Sequence, residues 1–346
     1  MAKVFSIKEV FVENVVPNIN SYSAFKHWAR GELQRMHDEG LIVGALFYGS
    51  MIQGDFYAGS DLDLLIVYNS EKLNRTSAKE VFRDLEEKGK KLFNIGLSPH
   101  PRISDRASDW RAGELSGNDE DNKVLVVDAQ DEEKRVSCST GHRFVEYLKT
   151  CASSPEAIAQ NVVGKNPLDI LTGPHSRITR YRSKASDKMR LHEMMARMIF
   201  VQNRLKEKSQ MPVNSDDGIN YELLALRIRE PVFNVLDLLW LKNGSVPRTS
   251  DGRLINKNDL AKEFLKEFPD FDSSELEESI SLFNEYRKTI NYLSSLPVGE
   301  RLKHLHSYEL LVKSMDQRAK VFDRFISRCF DMVKSKSLTE ESLLLA

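Results

Sequence analysis

The sequence predicts an α+β protein, with a small mixed β-sheet domain over residues 1–140 followed by an α-helical bundle domain over residues 141–346. Three observations carry this. Two nearly continuous apolar runs, Leu41–Tyr48 and Leu62–Tyr68, read as strands buried on both faces. Segments 22–39 and 77–93 have apolar residues at helical spacing and read as helices packed on those strands. Beyond about residue 140 the spacing is helical in 191–205, 219–241, 257–268, 274–293 and 308–334, and strand-like runs are scarce.

The elements follow in order. Phe25, Trp28, Ala29, Leu33 and Met36 mark the first helix, which Gly40 ends. Between the two strand runs, Gly49, Ser50, Gly54 and Gly59 make a turn-rich connection. The helix over 77–93 ends near Gly96. Ile95–Ile103 reads as a third strand, which Pro99 and Pro101 confine to an edge or a bulge. Residues 104–122 are polar and loop-like, and Val124–Val127 is a short apolar strand. Segments 164–176 and 207–218 read as loops or linkers.

Composition narrows the setting. The chain of 346 residues is 41% hydrophobic and 29% charged, with a formal net charge of -1. That gives no global pull toward nucleic acid or anionic membrane. Cys138, Cys151 and Cys329 are scattered and not in metal spacing, which suits a reducing compartment. The opening MAKVFSIKEVFVENVV has alternating charges and no apolar core, so it does not read as a signal peptide. No run approaches the ~18 apolar residues of a membrane span. The expectation is a soluble cytoplasmic protein without membrane contact.

The chemistry concentrates in residues 41–70. The second strand run opens with Ser60-Asp61-Leu62-Asp63. Alternate residues of a strand face one side, so Asp61 and Asp63 point together. Two adjacent carboxylates repel, and a divalent cation between them relieves this. Hard oxygen ligands suit Mg²⁺ or Mn²⁺. Gly49-Ser50 supplies the complement. The glycine leaves room for a phosphate to approach, and the following N–H groups and hydroxyl can bond its oxygens.

Gly49-Ser50, ten residues, then Asp61-Leu62-Asp63-Leu64, with both strands and the upstream helix, resembles the nucleotidyltransferase superfamily typified by DNA polymerase β and kanamycin nucleotidyltransferase. The resemblance covers roughly residues 22–105. It implies metal-dependent transfer of a nucleoside monophosphate from an NTP, ATP first among candidates, with release of pyrophosphate. It places metal on Asp61 and Asp63, and triphosphate on Gly49 and Ser50, with Ser60 beside them. The acceptor would be a small molecule, a protein side chain or RNA, and a homodimer stays open.

Active members of that superfamily usually carry a third carboxylate on a neighbouring strand. The expected strand, IGLSPHPRI, has none; its polar positions are Ser98, His100 and Arg102. Asp128, closing VLVVDAQ, is the nominated third acid, and the same residue also reads as a simple strand-end cap. Asp105 and Asp109 lie in the intervening loop. His100 reads either as a base or as a surface histidine.

Elsewhere, residues 176–190 are strongly basic, with Tyr181 interleaved, and read as a polynucleotide contact, a help in holding triphosphate, or a solvated helix entrance. His192-Glu193 begins like HExxH, but Ala196 occupies the second histidine's place, which rejects a zinc protease. Arg301 and His306 have the Arg-x4-His spacing of the HEPN ribonuclease motif, and read as that or as a solvated basic turn. The helical half also resembles the acceptor-binding bundle of antibiotic nucleotidyltransferases. Two alternatives stand beside the transferase: a non-catalytic, nucleotide-binding, antitoxin-like partner, and an RNA-acting protein using the basic helical region.

Overall fold

The computed structural model describes residues 17–53, 56–98, 102–105, 145, 148–173, 214–215, 218–219, 235, 239, 257–269, 271–304 and positions 306, 310, 314, 318, 324–325, 327–332 and 335. The chain divides into two compact units, Val16–Ala185 and Met1–Val15 with Ser186–Ala346.

In the first unit, helix α1 (Tyr22–Asp38) buries Tyr22, Phe25, Ala29, Leu33 and Met36, the stripe its spacing predicts. Gly40, at φ 69°, ends it. Its N–H donates to the His37 carbonyl and the Leu41 N–H to the Met36 carbonyl, a left-handed helix end that turns the chain straight into β1 (Ile42–Tyr48). A short helical turn, α2 (Ser50–Gln53), follows, and then β2 (Leu62–Tyr68). Helix α3 (Arg75–Phe93) starts on Asn74, whose side chain accepts the Ser77 N–H, and stops on left-handed Asn94.

Strand β1 pairs antiparallel with β2, with Tyr48 opposite Asp63. The predicted third strand is present as two short pieces, β3 (Leu97–Ser98) and β4 (Arg102–Ser104), both parallel to β2 along one edge. On the other edge β5 (Val162–Gly164) pairs antiparallel with β1, after helix α4 (Pro155–Asn161) and before helix α5 (Pro167–Leu171). The sheet is therefore small and mixed, in the order β3-β2-β1-β5.

Both faces of β1 and β2 are covered, which explains their unbroken apolar runs. One face packs with α1 and α3 through Phe25, Phe47, Leu64, Ile66 and Phe82. Phe25, Phe47 and Phe82 are wholly buried, each stabilising the fold by roughly 1.5–3 kcal/mol. The opposite face packs Leu46, Leu65 and Val67 against Val145, Leu148, Cys151 and α5.

Residues 162–164, beyond the sheet expected before residue 140, supply its second edge strand. Three residues are too few for an apolar run to register as a strand. Segment 164–176 is not wholly loop either: Asn166 accepts the Leu168 N–H and Pro167 opens α5. Val124–Val127, Asp109, Asp128, His100, Tyr181 and the basic run 176–190 lie outside the described residues.

The second unit is helical where described, apart from a two-residue ladder of β6 (Asn214–Ser215) on β7 (Gly218–Ile219), inside and just after the segment expected as a linker. Helices α6 (Lys257–Glu267) and α7 (Ser273–Ser295) agree with the helical spacing of 257–268 and 274–293, and a short helix α8 (Val298–Arg301) follows outside them. Asp272 caps α7 by accepting the Ser274 N–H at 2.9 Å. Leu276, Ile280, Phe283, Tyr286, Ile290 and Leu293 form its buried side. Phe264, Phe271 and Phe325 make an aromatic cluster, with Phe271 edge-on to Phe325 at 5.3 Å. Arg318 bridges Glu278 and Glu285, and Arg328 pairs with Glu275. Among the described residues, no helix is long and apolar enough to cross a membrane.

Candidate functional site

The antiparallel register of β1 and β2 brings the end of one strand against the start of the other. Gly49 follows directly on Tyr48, which pairs with Asp63. Gly49 sits at φ 83°, a backbone conformation that favours glycine. A β-carbon on Gly49 would enter the carboxylate of Asp63, nearest Oδ2. So glycine is required here twice, by the backbone and by the acid. Asp63, in β2, is half-buried, and Asp61, immediately before the strand, is exposed. The intervening Leu62 and the following Leu64 are fully buried on the α1/α3 side. This alternation explains how an otherwise apolar strand carries a carboxylate: Asp63 stands near its start, with Asp61 just before it.

Ser50 opens α2, and the Ile52 N–H donates back to the Gly49 carbonyl at 3.2 Å. Among the described residues, no group accepts the N–H of Ser50 or Met51. The N–H of Gly49 lies near enough to the Cys151 sulfur to favour its thiolate. Cys151 is buried, and burial pushes its thiol above the ordinary thiol range. It therefore stays protonated near neutrality.

Ser60 belongs to the turn that leads into Asp61. It is buried, and its hydroxyl accepts the Tyr57 N–H at 3.1 Å, closing the turn before Asp61. Buried Tyr22 of α1 clamps the same turn: its hydroxyl donates to the Ser60 carbonyl at 2.8 Å and accepts the Gly59 N–H at 2.9 Å. Ser60 thus shapes the approach to Asp61 through the loop backbone.

The neighbouring strand agrees with the missing third acid. Ser98 lies opposite Asp63 in the parallel β2–β3 pairing, and residues 97–104 contain no carboxylate. Asp105 stands at the other end of β2, where its carboxylate accepts the Ser70 N–H at 3.1 Å and its own N–H donates to the Tyr68 carbonyl. Among the described residues no three His, Cys, Asp or Glu side chains gather into a metal-holding group. Two carboxylates with a nearby hydroxyl still fit Mg²⁺ or Mn²⁺, which commonly take one or two protein carboxylates and complete their shell with water and substrate phosphates.

Residues that sequence reading passed over surround this centre. Lys26 of α1 donates to the Asn161 side chain at 3.1 Å, and Asn161 donates to the Cys151 carbonyl at 2.9 Å. Only helical spacing could have pointed to Lys26, since it flanks the buried stripe between Tyr22 and Ala29.

In the helical unit, Arg301 is buried, with its guanidinium donating to the carbonyls of Leu296 at 2.9 Å and Ser294 at 2.8 Å. It secures the C-terminal end of α7. His306 is exposed. This arrangement is a helix cap and leaves the ribonuclease reading of Arg301 without support. No protein-family model, no curated protein and no solved structure matches the chain.

Proposed function

We propose that the protein is a cytoplasmic, metal-dependent nucleotidyltransferase that moves a nucleoside monophosphate from an NTP to an acceptor hydroxyl. The observation that carries this reading is the interlock of Gly49 with Asp63: a glycine turn, followed by the Ser50 and Met51 N–H groups, stands directly against one of two hard oxygen ligands. Asp61 and Asp63 would hold Mg²⁺ or Mn²⁺. The bound ion supplies charge neutralisation on the phosphates. The Ser50 and Met51 N–H groups and the Ser50 hydroxyl bind phosphate oxygens and orient the chain of phosphates. In-line attack by the acceptor oxygen forms a bond to the α-phosphorus, the bond to the bridging oxygen breaks, and pyrophosphate leaves. The acceptor's proton passes to a base, for which Asp128 is the nominee. A small molecule, a protein side chain or RNA can serve as acceptor.

The test is transfer of label from α-³²P-ATP, and from the other NTPs, to a panel of small-molecule, protein and RNA acceptors, with Mg²⁺ and with EDTA. Transfer with Mg²⁺ that is lost in Asp63→Asn supports the reading. One observation favours a second reading, a non-catalytic nucleotide-binding partner protein: Ser98 stands beside Asp63, and residues 97–104 bring no third acid. Mg²⁺-dependent ATP binding with neither pyrophosphate release nor transfer would select it.

A further inference from the structure

We propose that Lys26 is a polyphosphate-binding residue at the end of the sheet that carries Gly49 and Asp63, holding the part of an NTP that departs as pyrophosphate. The assignment to an NTP rests on the nucleotidyltransferase reading; the anion site itself is separately testable.

Position comes first. Helix α1 runs back against β1, so its first turn lies at the end of β1 from which Gly49 emerges. Tyr22 shows this directly, since its hydroxyl holds the Gly59–Ser60 turn just before Asp61. Lys26 is one turn further along the same flank. A second route leads to the same place: Lys26 donates to Asn161, Asn161 donates to the Cys151 carbonyl, and the Cys151 sulfur feels the Gly49 N–H. The ammonium also lies over the Phe47 ring, 5.8 Å from its centroid, two residues before Gly49.

Charge comes second. Lys26 is half-buried, yet among the described residues no carboxylate pairs with it. Its partners are a neutral amide and an aromatic face. Burial pulls the ammonium below the usual lysine range, and the charge of Arg30 one turn away adds to this. A partly desolvated cation held next to another cation is disfavoured unless an anion arrives. A three-donor ammonium with one donor engaged can bind phosphate oxygens. Helix capping does not account for Lys26, because Arg30 takes the Gln160 carbonyl at 3.1 Å, while Lys26 meets only the Asn161 side chain.

The experiment is calorimetry of Mg-ATP, Mg-AMP and inorganic tripolyphosphate with wild type, K26Q, K26M and K26R, each checked by thermal melting. K26M keeps an apolar stem over Phe47, so it serves if K26Q folds poorly. The expected result is that the neutral variants bind ATP and tripolyphosphate about tenfold more weakly, AMP is unaffected, and K26R keeps most of the affinity. Wild-type affinity for ATP and tripolyphosphate in folded K26Q or K26M overturns the role of Lys26 and leaves the transferase reading standing. Lys26-dependent binding of tripolyphosphate with no binding of any NTP keeps the anion site and overturns the transferase reading. No binding of either by wild type overturns both.

Discussion

Gly49 and Asp63 occupy complementary space: the missing β-carbon of the first is filled by the carboxylate of the second. Neither residue belongs to the other's stretch of chain, and only the β1–β2 register makes them neighbours. That gives a coupling to measure. Gly49→Ala should destabilise the protein by about 2–4 kcal/mol, combining roughly 1–2 kcal/mol for a side chain in the left-handed region with the collision at Asp63. In an Asp63→Ala background the same change should cost at least about 1 kcal/mol less. Denaturant titrations of the four proteins measure this. Additive effects would mean that the glycine is needed by its backbone alone.

Asp61→Asn and Asp63→Asn should each abolish stabilisation by Mg-ATP while leaving the ligand-free protein folded. The amide is nearly isosteric but a poor ligand for a hard cation. A ligand at about 100 times its dissociation constant adds about 2.7 kcal/mol to wild-type stability, so a thermal melt with and without Mg-ATP reads the effect directly. An undiminished shift in Asp63→Asn would make the pair structural. Asp105→Asn is the contrast: it sits at the other end of β2 and should lose some stability through Ser70 without losing the nucleotide effect.

Much of this centre is legible from the chain alone, and the reason is periodicity. Strand alternation separates Asp63 from the buried Leu62 and Leu64, and a helix stripe puts Phe25, Ala29, Leu33 and Met36 against the sheet. What could not be read depends on long-range pairing. Val162–Gly164 is too short to announce itself, so the sheet's second edge was hidden. Ser60 has the same residue type whether its hydroxyl faces a phosphate or the Tyr57 N–H. Arg301 in a basic stretch does not reveal that two carbonyls of α7 bury its guanidinium. Lys26 and Cys151 are far apart in sequence and join the site only through Asn161 and Gly49.

Tyr22→Phe should cost about 1–3 kcal/mol, although it removes one oxygen from a residue that stays apolar. The buried hydroxyl satisfies the Ser60 carbonyl and the Gly59 N–H together. Its loss leaves both groups near the core without a replacement partner and loosens the turn that aims Asp61. Urea unfolding measures the stability, and Mg-ATP affinity should weaken in parallel. A change below about 0.5 kcal/mol would show that water replaces the hydroxyl at this turn.

Arg301→Met should destabilise the helical unit by about 2–4 kcal/mol, because the Ser294 and Leu296 carbonyls lose charged donors at a buried helix end. His306→Ala should be neutral within about 0.5 kcal/mol, since its side chain is exposed. Thermal melts decide the first point. RNA cleavage by wild type that His306→Ala abolishes at unchanged stability would restore the ribonuclease reading.

Cys151 links stability to pH on the alkaline side. Burial holds its thiol above the ordinary range, and the negative charge of Asp63 reinforces this against the opposing pull of the Gly49 N–H. An unfolded thiol releases its proton near about pH 8.5, whereas the folded one keeps it to higher pH. Above that point the unfolded state binds fewer protons than the native state, so stability falls as pH rises. Below it both states are protonated and this contribution is fully present. Cys151→Ala removes the titrating group and should flatten the slope between about pH 8 and about pH 10, at the expense of a small loss at neutral pH from the vacated volume. Cys329 is buried with its thiol shifted the same way, but it is common to both proteins and cancels in the comparison. Guanidinium titrations across that range provide the measurement. Parallel slopes in wild type and Cys151→Ala would mean that the thiolate at Cys151 is as well solvated as in the unfolded chain, and that the sulfur does not sit sealed between Gly49 and Asp63.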